Sequence, residues 1–328
     1  MDTQIVYVSV SSADDLFLEQ LWASAYSLRR FHPEATVMVL TDGPTAMRIN
    51  SDTYQAMRDL ITEVKVVEVN NAYSGMQRSR EIKTSIRNLI DGDFLYIDTD
   101  TIITAPIDGL DRLKVKNLAM VPNMHRHSLA DNGLYLTRWT TKVKKVFNTD
   151  INDAPVLFNG GAFFVHDNAF TREFFTKWHE NWLVSVSKGL DTDQQALVYT
   201  DKNFGYVIEK MPDIYNCQVL FGVKYFFDAK ILHIYHIPSY YSCDPLRVLW
   251  SVYDNIRKEG CLSEETKDIL KNPKSHLSFS SCLVSFEDTD FMRGRFFNNI
   301  YRRSRVIRWC INKFDTWAEG KAARTMIQ

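Results

Sequence analysis

Two aspartates, Asp98 and Asp100, stand two residues apart at the end of the apolar run Phe94-Leu95-Tyr96-Ile97. A strand that stops there directs both carboxylates into the crevice at the carboxyl edge of its sheet. Two hard oxygen donors, with the oxygens of a diphosphate supplying more, suit Mg²⁺ or Mn²⁺. The plainer reading is an Asp-rich turn capping the sheet. Four further groups bear on the chemistry. Asn159-Gly160-Gly161 interrupts an apolar stretch, as a β-bulge or as backbone that a ligand approaches closely. Asp193-Gln194 opens a helical pattern, where an acidic residue caps the first turn or faces a site. Arg80 and Lys83 lie three apart and so share a helix face, solvated or turned to a ligand. Ile231-Leu232-His233-Ile234-Tyr235-His236 is a late strand with two histidines, either core residues or ligands.

The elements that would position these groups alternate. Residues 5–10, 36–40, 64–69 and 94–97 read as strands. Residues 16–31, 45–60 and 78–90 between them read as helices, the first closed by Pro33. Such alternation predicts βαβ units, a largely parallel sheet and a ligand at the strands' carboxyl ends. The second half is less regular, with a strand over 156–165, helices over 170–186 and 194–199, and a strand over 230–236. From about 245 the pattern is helical and polar.

Two chemistries use an acidic pair at a strand end. Haloacid-dehalogenase-type phosphohydrolases place a nucleophilic Asp there, after the first strand and with Thr or Val four residues on. Here the pair follows a fourth strand and position 102 is Ile. The other chemistry is transfer from a nucleotide sugar. In the order Asp98-Thr99-Asp100, Phe158-Asn159-Gly160-Gly161, Asp193-Gln194 and His233, residues 4–240 resemble the GT-A-fold glycosyltransferases of family 8, the type of glycogenin and the lipopolysaccharide galactosyl- and glucosyltransferases.

That resemblance implies an α/β, Rossmann-like, mostly parallel sheet flanked by helices, and metal-dependent transfer of a hexose from a UDP-linked donor to a glycan or glycolipid, with retention of configuration. It assigns Asp98, Asp100 and His233 to Mn²⁺ or Mg²⁺. It sets Asp193 and Gln194 beneath the donor sugar and Asn159 on a donor hydroxyl, with Gly160 and Gly161 close to the sugar. Arg80 and Lys83 would neutralise the diphosphate, and Val8, Ser9 and Val10 would meet the base and ribose. Thr99 lies within the metal motif. The family continues past its late histidine into Gly and Lys-Pro-Trp, whereas this chain reads His236-Ile237-Pro238-Ser239, leaving His236 or a base elsewhere to touch the diphosphate.

Composition narrows the alternatives. Apolar residues make up 45% and charged residues 24%, which excludes a disordered chain or a coiled coil. With 39 basic and 40 acidic residues, no global field draws the chain to nucleic acid. No GxGxxG, P-loop or GxSxG pattern is present, and His125 and His127, with no carboxylate at metal-ligand spacing, read as surface residues. Five cysteines without CxxC spacing fit reduced thiols. The opening segment shows no leader pattern, so a cytoplasmic location is expected. Residues 291–328 carry nine basic and two acidic side chains. The arginines interleave with apolar residues at helical spacing, so residues 241–328 read as a helical extension ending in a basic amphipathic tail. That tail suits either an anionic membrane face or docking on the body.

Overall fold

The computed structural model describes residues 3–130, 133–221, 225–235 and 247–276, with isolated positions at 304–306, 309–310 and 313. His236 and nearly all of the basic tail lie outside the described residues.

The first half folds as its periodicity predicts. Strands β1 (Gln4–Val8), β2 (Val37–Thr41), β3 (Glu63–Val66) and β4 (Phe94–Ile97) are joined through helices α1 (Phe17–Arg29), α2 (Gly43–Ile49), α3 (Gln55–Arg58) and α4 (Gly75–Leu89). The single helix expected over 45–60 is two short ones, parted by a turn of 3-10 helix at Asp52–Tyr54. All pairings among β1 to β4 are parallel. Beyond them come β5 (Thr101–Ile103), β6 (Leu118–Pro122), α5 (Gly133–Phe147), β7 (Phe158–Val165), α6 (Ala169–Ser187), α7 (Gln194–Asn203), β8 (Glu209–Lys210), β9 (Cys217–Gln218), β10 (Ile231–His233), α8 (Arg247–Glu259) and α9 (Glu264–Lys271).

The large sheet has the order β3-β2-β1-β4-β7-β6-β8, and β7 runs antiparallel to both its neighbours. A second sheet, β5-β10-β9, begins where the first leaves off. Strand β4 ends at Ile97, the chain turns through Asp98-Thr99-Asp100, and β5 starts at Thr101 in the other sheet. The acidic pair is therefore the junction between two sheets rather than the end of one.

Side-chain alternation divides the interior. Tyr7, Val37, Val39, Leu95 and Ile97 face a core shared with α1, the small sheet, α8 and α9. Val6, Val8, Leu40, Phe94 and Tyr96 face a core under α4, α6 and α7. Helices α8 and α9 add Trp250, Val252, Tyr253, Ile256, Ile269 and Leu270 to the first core. Arg257 of α8 pairs with buried Glu19 at 3.0 Å and donates to the carbonyls of Ala13 and Asp15, fastening the loop after β1. Between α4 and β4, Gly92 takes φ +79°, a conformation that side-chain-bearing residues rarely adopt. Among the described residues no helix is long and apolar enough to cross a membrane.

Asp201, near the end of α7, is 4% exposed and accepts the N–H of Ile208 at 3.1 Å. Burial raises its carboxyl pKa to about 6 against the pull of the backbone donors of Ile208 and Val207. An unfolded aspartate titrates near 3.9. Between those values the folded state binds the extra proton, so stability falls as pH rises from about 4 through 6. Asp201→Asn keeps an acceptor oxygen and removes the titration. It is expected to raise stability by about 1–3 kcal/mol at neutral pH and to change little near pH 4. Thermal melts at the two pH values check this, and equal shifts at both would contradict it.

Candidate active site

The turn from β4 to β5 presents both aspartates at the floor of a cleft of about 390 Å³, within the roughly 300–1,000 Å³ range of small-molecule sites. Val8, Val10, Arg80, Asp98, Thr99 and Asp100 line it. His233 arrives from the small sheet. Strand β10 pairs antiparallel with β5 so that His233 stands opposite Thr101, and the Ile234 N–H donates to the Asp100 carbonyl at 2.9 Å. His233 Nε2 lies 3.3 Å from Asp100 Oδ1 and 4.0 Å from Asp98 Oδ2. One ligand atom from each of the three residues falls within 4.8 Å of the others. Two ligands about 2.1 Å from one ion sit roughly 3.0 Å apart at right angles and about 4.2 Å apart when opposite. The trio therefore fits a single divalent cation with small adjustment. Two carboxylates and one imidazole are a mixed donor set, better suited to Mn²⁺ than to Mg²⁺, which prefers oxygen alone.

Behind the aspartates lies a charged row. Helix α4 starts in a capping box, in which Ser74 and Gln77 each bond the other's backbone N–H. It buries Ile82 and Ile86 and carries Arg80 and Lys83 toward the carboxyl edge of the sheet. Lys83, 2% exposed, sits 3.1 Å from Asp98 Oδ1 and 3.7 Å from Asp193 Oδ2. Arg80 Nε is 3.3 Å from Asp193 Oδ1. One buried ammonium thus joins the metal-side carboxylate to the Asp193 carboxylate. Burial works to raise the Asp98 pKa, but Lys83, His233, Arg80 and a hydrogen bond from the Tyr96 hydroxyl outweigh it and hold the group at about 2. Tyr96 is pushed the other way by burial and by the Asp98 charge, so its hydroxyl keeps the proton it donates.

Asp193 stands at the N-cap position of α7 without capping it, because its side chain turns to Arg80 and Lys83. Trp178 and Trp182 of α6 hold the loop before it through the carbonyls of Asp193 and Asp191. Gln194 donates to the Phe158 carbonyl. Gly160 lies against Lys83 and Asp193, where an added Cβ would be 3.6 Å from Nζ. Gly161 is packed so closely on His233 that an added Cβ would be 2.2 Å from Cε1.

Three expectations are revised. Ser9 alternates away from Val8 and Val10 and is buried in the sheet, its backbone bonded to Leu40 and Thr41. Asn159 has no spare hydrogen bond for a sugar. Its oxygen accepts from Gly161 N and Asn216 Nδ2, and its nitrogen donates to the Tyr235 hydroxyl and Asn123 Oδ1. His125 is not a surface residue, since its side chain is 7% exposed with Nδ1 2.6 Å from Asp213 Oδ1, whereas His127 is exposed and brings Nε2 to 3.0 Å from the other oxygen of that carboxylate.

Sequence reasoning missed Tyr96, Arg78 and Asn216. Tyr96 had a signal, being two residues before Asp98 on the same strand face. Arg78 lines the cleft in the first turn of α4, paired with buried Asp42 at 3.1 Å. Asn216 lies in no motif.

No family profile and no curated protein matches the chain. Solved structures do. The galactosyltransferase LgtC in complex with donor and acceptor sugar analogues superposes at TM-score 0.51 and 15% identity, over 81% of this chain and 99% of that one. The bifunctional glycosyltransferase WbbM, in its apo form, superposes at TM-score 0.51 and 14% identity, over 82% of this chain and 51% of that one. These identities carry the fold, and the fold agrees with the order of motifs in the sequence. The chain is an α/β protein of the GT-A fold, its mostly parallel sheet flanked by helices.

Proposed function

We propose that the protein is a metal-dependent glycosyltransferase that moves a hexose from a nucleotide-diphosphate donor, UDP-galactose or UDP-glucose, to a glycan or glycolipid acceptor. The observation that carries this reading is the convergence of Asp98, Asp100 and His233 from two sheets on one cleft. Transfer from a nucleoside diphosphate needs the charge of the departing diphosphate stabilised, which a divalent ion at this trio supplies when bound. Lys83 keeps Asp98 ionised and oriented and ties it to Asp193, the carboxylate proposed to lie under the sugar. Arg80, on the cleft wall, adds positive charge beside the same carboxylate. Val8 and Val10 give the cleft an apolar wall suited to a base and ribose. Retention of configuration follows from the family resemblance and is part of the proposal.

The phosphohydrolase alternative needs Asp98 as a free nucleophile. Its Oδ1 is instead occupied by both Tyr96 and Lys83. A donor panel separates the two. With Mn²⁺ present, UDP-hexoses are expected to be consumed with release of UDP, slowly to water and faster with an acceptor, and EDTA is expected to stop it. Release of inorganic phosphate from phosphomonoesters, with every nucleotide sugar left intact, would overturn the proposal.

A further inference from the structure

His233 can hold a cation only through a nitrogen that carries no proton, so the ring must place its proton on Nδ1. The surrounding hydrogen bonds decide this, starting from a group whose role is fixed. The peptide N–H of Gly161 donates to the Asn159 side chain at 2.8 Å. A peptide N–H can only donate, so that atom of Asn159 is its oxygen. The same oxygen meets Asn216 at 2.9 Å, so Asn216 presents its NH₂ there. The other end of the Asn216 amide is then its oxygen, and it lies 2.9 Å from His233 Nδ1. Nδ1 must be the donor, so in the neutral ring that a metal requires the lone pair falls on Nε2, the nitrogen facing Asp100 and Asp98.

A second backbone donor closes the network from the other side. The Met124 N–H donates to Gln218 Oε1 at 2.7 Å, which fixes that amide. The Tyr235 hydroxyl donates to the same oxygen at 3.2 Å and accepts from Asn159 Nδ2 at 2.7 Å. The Tyr235 ring stacks on the imidazole, centroids 3.9 Å apart and planes 9° apart, and Gly161 packs tightly against the Cε1–Nδ1 side of the ring. The assembly is made of protein groups alone, with Asn159, Asn216, Gln218 and His233 all buried.

We infer that Asn216, acting with Asn159, is a positioning residue that locks His233 in the Nδ1–H tautomer and so presets Nε2 as a metal ligand. Without the Asn216 oxygen, the two carboxylates beside Nε2 would attract the imidazole proton to that nitrogen and block it. The inference rests on the metal site proposed above, and it explains why Asn159 is spent on protein rather than on a sugar. Oriented partners of this kind commonly change metal affinity by about 10- to 100-fold when removed.

The test uses the full chain labelled with ¹⁵N-histidine and stripped of metal. Long-range ¹H–¹⁵N correlation reads which nitrogen of His233 bears the proton, with His233→Gln identifying its signals. The wild type is expected to carry a proton on Nδ1. Asn216→Ala is expected to move the proton to Nε2 and weaken Mn²⁺ binding, measured by titration calorimetry, by about 10- to 100-fold. Asn216→Asp keeps an oxygen on Nδ1–H but loses the NH₂ that meets Asn159 Oδ1, so it should retain the Nδ1 proton and lose less affinity than Asn216→Ala. A wild-type Nδ1 that bears no proton, or an unchanged tautomer in Asn216→Ala, would overturn the relay. An Nδ1–H tautomer in a wild type that binds no Mn²⁺ would instead leave the relay standing and overturn the metal site.

Discussion

Asp100→Asn and His233→Gln are each expected to lower sugar transfer by at least about a hundredfold, roughly 2.7 kcal/mol in the barrier, with the fold intact. Asp100 is partly exposed at the cleft floor, its side chain 21% accessible, so an isosteric amide costs little packing there. It removes the negative charge that offsets a divalent cation. His233 is different, being 3% exposed and stacked on Tyr235. His233→Ala would open a cavity and confuse lost packing with lost ligation, so the longer amide is the cleaner change. The loss should appear together in Mn²⁺ affinity and in turnover, with circular dichroism melts shifted by only a few degrees. Full activity in either variant would remove that residue from the site.

Gly161→Ala is expected to do comparable damage with a single methyl group. The added Cβ would sit 2.2 Å from His233 Cε1, 2.6 Å from Nδ1 and 2.8 Å from Asn159 Oδ1. The first two neighbours belong to a ring already stacked on Tyr235 and 3.3 Å from Asp100, so a shift that relieves the clash disturbs both contacts. Mn²⁺ binding and transfer should both fall by about a hundredfold or more. The adjacent Gly160→Ala is the control for Mn²⁺ binding measured without donor, because its Cβ meets only ordinary protein contacts, at 3.6 Å from Lys83 Nζ and 3.7 Å from Asp193 Oδ2. Comparable losses of Mn²⁺ affinity in the two variants would mean that close approach to His233 is not what position 161 requires.

The parts of the site that could be read from sequence are those carried by local periodicity. The run Phe94–Ile97 before Asp98 is apolar at every position because both faces of β4 are buried. Arg80 and Lys83 fall on one helix face by spacing alone. The rest depends on pairings between distant segments. Nothing in Asp98-Thr99-Asp100 says that the chain changes sheets there, and only the β5–β10 register brings His233 to the aspartates across more than a hundred residues. The strand containing Asn159-Gly160-Gly161 was legible, whereas its antiparallel direction was not, because a fully buried strand reads the same either way. Ser9 follows the end of β1 at Val8, and the chain stays extended enough there for Val8 and Val10 to line the cleft while Ser9 between them is buried. Asn216 left no trace in the sequence. A buried amide is recognised by its partners, and these come from Asn159 in one sheet and His233 in the other. The same holds for Asp213, which turned two apparently solitary histidines into a paired cluster.

The most direct test of the metal-bridged donor site is the melting temperature of the full chain with UDP, with Mn²⁺, and with both. If the ion joins the diphosphate to Asp98, Asp100 and His233, UDP in EDTA should leave the melt nearly unchanged. UDP with Mn²⁺ should raise it by several degrees, since a ligand at a hundredfold excess over its Kd stabilises the native state by about 2.7 kcal/mol. An equal shift with UDP in EDTA would contradict the account, because the diphosphate would then be held without any metal.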